Sequence, residues 1–130
     1  MANEAVLKHK ASTPIDFIVA DGAGIEKGTI CKLADPRTAS ASSAADVFAG
    51  VARREKIASD GRTRLSMFVG PGDVFDMKAA ATTITAGSLV SLSGANLIKT
   101  ATEAEVVTGA AFGKALETAA ASETIEVMLI

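Results

Sequence analysis

The chain has 130 residues, a net charge of −2 and one cysteine, a size that suits a single domain burying roughly two-thirds of its unfolded surface. Cys31 on its own excludes an internal disulfide framework and a multi-cysteine zinc site, and the charge argues against nucleic acid, whose recognition leans on clustered cations. Almost half of the residues are apolar, yet Trp and Tyr are absent and Phe occurs only five times, so small aliphatic residues must build the core. An oligomer, which buries more surface per chain, is therefore expected. Residues 1–65 carry ten Lys/Arg and eight Asp/Glu, and residues 66–130 carry three and seven, a mild polarity able to orient a docking event. No early apolar run reads as a leader and none approaches a membrane span; synthesis in a reducing cytoplasm, with no membrane partner, is expected.

Residues 1–14 are mostly polar and end at Pro14, with Val6-Leu7 as their one apolar pair. They read as a flexible or semi-extended arm outside the sheets. From Ile15 the texture is β, with short runs of aliphatic and β-branched residues punctuated by turn signals. Strands are expected at about 15–20, 29–34, 47–53, 64–69, 73–77, 88–92, 96–100, 106–111 and 124–130. Asp21-Gly22-Ala-Gly24, Asp60-Gly61, Gly70-Pro71-Gly72 and Ser93-Gly94 mark turns. The serine-rich stretch Thr38–Ala45 reads as an exposed loop with at most one helical turn near residues 44–48. A helical turn fits Ala101–Glu105 and Leu116–Ala121, neither long enough to change an all-β fold.

An internal repeat organises these elements. Ile25-x-x-Gly28-Thr29-Ile30-Cys31-x-Leu33 returns as Ile84-x-x-Gly87-Ser88-Leu89-Val90-x-Leu92, 59 residues on. Ile15-Asp16-Phe17 falls on Phe75-Asp76-Met77 and Leu65-Ser-Met67 on Ile125-Glu-Val127, at an offset of 60. The ungapped register also carries Gly50 onto Gly109, Ala52 onto Ala111 and Ile57 onto Leu116, and is preferred; a register with a four-residue gap, placing Phe112–Leu116 against Phe48–Ala52, competes with it. One supersecondary unit has been used twice, giving pseudo-repeats of about 15–70 and 73–130 with Gly70-Pro71-Gly72 as the seam.

Nothing in the sequence assembles a catalytic constellation. His9 lies in the arm, where no structure would hold a general base. Cys31 has Val90 as its repeat partner, the mark of a small buried residue rather than a nucleophile. Asp73 and Asp76 lack the spacing of a calcium loop, and Asp73 suits a turn. Neither Gly22-Ala-Gly24 nor Gly70-Pro71-Gly72 leads into a phosphate-binding helix. The one basic concentration, Arg53-Arg54-Glu55-Lys56 with Arg62 and Arg64, is interrupted by acid and lacks aromatics, which suits a solvated face or a protein contact better than nucleic acid. A non-enzyme without cofactor or metal is expected.

The order and spacing of Ile25-x-x-Gly28-Thr29-Ile30, Phe48-Ala-Gly50-Val51-Ala52, Ile84-x-x-Gly87-Ser88-Leu89-Val90, Gly113-Lys-Ala115-Leu116 and Ile125-Glu-Val127-Met-Leu129 resemble the head decoration, or capsid cement, proteins of tailed phages. The resemblance covers about residues 3–130. It implies a small β-barrel-like or tulip-like domain, residues 15–130, with a free N-terminal arm, residues 1–14. It further implies a homotrimer on the outer surface of the virion head, clamping the major capsid protein. Carried onto this chain, the arm contact would comprise Ala2, Asn3, Glu4, Ala5, Val6, Leu7, Lys8, His9 and Lys10, with Ala5-Val6-Leu7 adding to a capsid strand. Arg53, Arg54 and Lys56 form a second candidate face. Other readings are a small β module binding a receptor or carbohydrate, disfavoured by the lack of Trp and Tyr, and a tail-tube or connector component.

Overall fold

The computed structural model describes residues 3–130. Its first repeat forms β2 (Ile15–Ile18), β3 (Ile30–Ala34), β4 (Thr38–Ala41), β5 (Phe48–Ala52) and β6 (Arg64–Phe68), and these close a five-stranded barrel in the order β2-β4-β3-β5-β6. Its second forms β7 (Val74–Ala79), β8 (Leu89–Gly94), β9 (Leu97–Thr100), β10 (Gly113–Ala115) and β11 (Thr124–Leu129). Those strands pair in the order β7-β11-β10-β8-β9, and a parallel β7–β9 pairing returns the ring to its start. Each antiparallel and parallel neighbour of the first barrel thus has its counterpart in the second, and the protein is an all-β domain with a duplicated β unit. Closure removes the sheet edges that short strands would otherwise expose.

Alternation along the strands fills each barrel. Phe17, Cys31, Ala39, Ala52, Leu65 and Met67 point into the first, and Met77, Val90, Ile98, Ala115, Ile125 and Val127 are their counterparts in the second. Such narrow barrels leave room for little else, which explains the aliphatic, aromatic-poor composition. Gly50 and Gly113 occupy one equivalent position on β5 and β10. A Cβ on Gly50 would lie 2.8 Å from Met67 Cβ and 3.0 Å from the Phe68 carbonyl, and one on Gly113 would lie 2.7 Å from Val127 Cγ1 and 3.1 Å from the Met128 carbonyl. A buried side-chain carbon and a carbonyl crowd both places, so a Cβ fits at neither without a shift.

The same pair corrects the repeat register. Cys31 pairs with Gly50 and Val90 with Gly113, so from Gly50 to Lys56 the gapped register is the structural one. The segment 101–112 that takes up the four extra residues holds α1 (Glu103–Thr108), where a strand at 106–111 was expected. Thr102 caps this helix by accepting from the Glu105 N–H, Glu105 returns the bond to the Thr102 N–H, and Gly109 ends it at φ 82°. That reciprocal cap is written in the sequence as Thr-x-x-Glu. Gly109 is a helix terminator, and its match to Gly50 was coincidental. Residues 38–41, expected as loop, form β4 because Ala39 faces the barrel interior across from Leu33.

The arm is also not free. Val6–His9 forms β1, antiparallel to β7, with Val6 opposite Asp76 and Leu7 opposite Phe75. The β7–β9 pairing covers only Lys78 and Ala79, which leaves the beginning of β7 open on that side, and the arm fills it. An unpaired strand segment is a ready template for any extended chain within reach.

Candidate functional site

The arm crosses both barrels. Ala5 is buried, and its N–H donates to the Gly28 carbonyl of the first barrel at 2.7 Å. Gly28 stands at φ 87°, and a Cβ there would collide with the Ala5 carbonyl oxygen. The Gly28 turn is therefore shaped to receive the arm, whereas its repeat partner Gly87, at φ 92°, has nothing within 4 Å. At the far end Asp73, fully buried, clamps residues 11 and 12: its Oδ1 accepts from the Ala11 N–H at 2.7 Å and the Ser12 N–H at 3.2 Å, and its Oδ2 accepts from Ser12 Oγ at 3.3 Å. Sequence reasoning assigned Asp73 to a turn and missed this clamp, since no local pattern joins residues 61 and 62 positions apart.

The arm turns one edge and one groove outward. β1 is the terminal strand of its sheet, pairing with β7 alone among the described strands. Val6 is 56% exposed and Leu7 38%. Lys8 reaches Asp76 at 3.8 Å, and His9 and Lys10 are exposed. A groove of about 550 Å³ runs beside the arm, lined by Glu4, Ala5, Val6, Leu7, Lys27, Arg53 and Phe68. The structure therefore brings Arg53 to the arm, with Arg54 exposed next to it; Asn3 is exposed as well, and Ala2 lies outside the described residues.

Lys56 does not belong to that face. Its side chain is wholly buried in the first barrel, where the second copy has the buried Ala119: Ile25 bridges Lys56 as Ile84 bridges Ala119. Its Nζ donates to the Asp21 carbonyl at 2.8 Å and the Ile57 carbonyl at 3.1 Å, and it pairs with Asp60 Oδ1 at 3.0 Å and Asp21 Oδ1 at 3.3 Å. A buried ammonium is tolerated only with such partners. The N–H of Arg62, and next the Lys56 ammonium, hold the Asp60 carboxyl below the usual carboxylate range. Lys56 is a structural tie, and Arg53 and Arg54 beside it in sequence stay exposed.

Among the described residues, Cys31 is the one cysteine. Cys31 is buried inside the first barrel, and burial pushes its thiol up to about 12, so at neutral pH it stays protonated and unreactive. Among the described residues no three His, Cys, Asp or Glu side chains gather to hold a metal, and no helix is long and apolar enough to cross a membrane.

With the double barrel and its strapped arm established, the family follows. The model of the phage cement proteins matches residues 9–129. The chain belongs to the phage cement protein family. That membership gives it a capsid-associated structural role in a bacteriophage head. The match begins at His9, so it takes in both barrels and the Asp73 clamp but not Ala5–Lys8. No curated protein was found to match the chain.

Proposed function

We propose that this cement protein binds the outer surface of a tailed-phage head as a homotrimer, contacts the major capsid protein and stabilises the shell against internal pressure, without catalysing a reaction. Membership of the cement family over residues 9–129 carries the reading. The contact is assigned to the arm region. β1 presents an unpaired edge of backbone donors and acceptors, to which an extended capsid segment adds as a further strand. Val6, Leu7 and Arg53 around the neighbouring groove give that strand side-chain contacts, and Lys8 and Lys10, either side of the exposed His9, a cationic approach. One such edge binds weakly; three on a trimer act together, raising avidity by roughly 10²–10⁴.

Purified protein mixed with heads that lack it tests this. Alternate residues of a strand aim their N–H at one neighbour or the other, so of Val6→Pro and Leu7→Pro one removes an outward donor. That variant is expected to keep the wild-type melting temperature and lose occupancy on heads. Full occupancy by both proline variants would move the contact away from β1.

A further inference from the structure

The two barrels are joined asymmetrically. The mouth of the second, where β7 and β10 begin and β8 ends, is covered by the outer wall of the first. Phe68 of the wall meets Phe75 with ring centres 5.6 Å apart, Phe48 stacks on Phe112 at 4.3 Å, and the Ile30 N–H donates to Asn96 Oδ1 at 2.9 Å. Ile30, Val51 and Phe68, side by side on β3, β5 and β6, join the second barrel's core as one buried cluster. Phe75 and Leu92 are consequently 1% and 0% exposed.

The corresponding mouth of the first barrel is bare. The repeat sets Ile15 in the place of Phe75, Leu33 in that of Leu92 and Arg37 in that of Asn96. There Ile15 is 42% and Leu33 45% exposed, and together with Val47, also 45% exposed, they rim an open cavity of about 700 Å³ lined by Phe17, Asp35 and Arg37. One set of structural positions is thus buried in one barrel and exposed in the other. The complementary wall is bare as well. Leu89, Lys114 and Met128 lie side by side on β8, β10 and β11, as Ile30, Val51 and Phe68 do on the first barrel. Leu89 and Met128 are half-buried and Lys114 is exposed. Lys114 replaces Val51 on the wall and Asp35 replaces Gly94 at the mouth, opposite in charge, while the Arg37 that stands for Asn96 is engaged within its own barrel, its Nε donating to the Asp16 carbonyl at 2.9 Å and its guanidinium 5.9 Å from the Phe17 ring centre.

We propose that the open mouth of the first barrel receives the second-barrel wall of another copy of this chain, repeating between copies the contact that joins the barrels within one. The occupant follows from continuity with the interface inside the chain and from the Lys114–Asp35 complementarity. Such a contact is directional, each copy using a mouth and offering a wall, and it forms a ring when the rotation closes. Three chains then give six barrels in a cycle, with covalent and non-covalent joints alternating. The number three rests on the homotrimer proposed above: a monomer that decorates heads would overturn this interface and the trimer, and leave attachment to the capsid standing.

Molar mass by light scattering, on the full chain at tens of micromolar, provides the test. Wild type is expected at the mass of three chains. Leu33→Asp, which spoils only the mouth, and Lys114→Glu, which spoils only the wall, are each expected at the mass of one chain with unchanged circular dichroism. Mixed in equal amounts, these two variants retain one good mouth and one good wall between them and should give a dimer that grows no further. Asp35→Lys combined with Lys114→Glu should restore the trimer. A monomeric wild type, a Leu33→Asp protein that keeps the wild-type mass, or a mixture that stays monomeric overturns the proposal. Loss of head binding by Leu33→Asp with a monomeric wild type would assign the mouth to the capsid protein instead.

Discussion

Asp73→Ala should release the arm without dismantling the barrels. The substitution removes three acceptor contacts, to the N–H groups of Ala11 and Ser12 and to Ser12 Oγ. A donor left unpaired in a partly buried site costs about 1–3 kcal/mol, and bonds to a carboxylate sit at the strong end. Two backbone donors set the scale of the loss, reduced by the relief of a buried carboxylate and by hydration once residues 11 and 12 lift away. A net destabilisation of about 2–3 kcal/mol is expected, which for this length lowers the melting temperature by roughly 6–15 °C. Asp73→Asn, keeping one acceptor oxygen, should lose about half as much. Urea titration gives the free energy, and amide hydrogen exchange shows where it was lost: residues 5–12 should lose protection while the strands of both barrels keep theirs. A loss below about 0.5 kcal/mol, with the arm still protected, would refute the clamp and return the arm to the untethered state expected of a polar terminus.

Three further substitutions probe the rest of the fold. Cys31→Val installs the residue that the second barrel already uses at that position, and should cost under about 1.5 kcal/mol with head binding unchanged; thermal melting and head occupancy check both halves. Gly28→Ala and Gly87→Ala share the strain of a positive φ, about 1–2 kcal/mol, but only Gly28 faces the Ala5 carbonyl, so Gly28→Ala should cost distinctly more and loosen the arm in hydrogen exchange. Lys56→Met keeps the packing and strips the donors from two carbonyls and two carboxylates, for an expected loss of about 1–3 kcal/mol in urea titration. Because Asp60 is held below its ordinary range, its contribution is present above the unfolded value of about 4 and is lost as pH falls through the lower folded value; Lys56→Met should flatten that acid limb.

The duplicated unit was legible because its strands keep the same turn glycines and similar small core residues: Gly28 and Gly87 enter β3 and β8, and Cys31 and Val90 sit inside the two barrels. The register slipped where an insertion had become α1, and a chance glycine at 109 disguised the gap. Thr38–Ala41 escaped notice because a narrow barrel accepts Ala39 as an interior residue, leaving a strand with no bulky apolar pattern. Long-range ties were invisible for a different reason. Neither the Asp73 clamp nor the burial of Lys56 has a local signature, since a lysine among arginines reads as surface until the barrel closes over it. Of the basic stretch, Arg53 and Arg54 are exposed and Lys56 is buried.

The central claim, attachment to the outside of a phage head, is tested most directly by electron cryomicroscopy of heads lacking the protein, before and after incubation with it. The account predicts new density on the outer surface, shaped as paired small barrels around three-fold positions, saturating with protein concentration, and heads that rupture at a higher temperature once decorated. Heads that remain bare at saturating protein, or density confined to the interior or the tail, would contradict it.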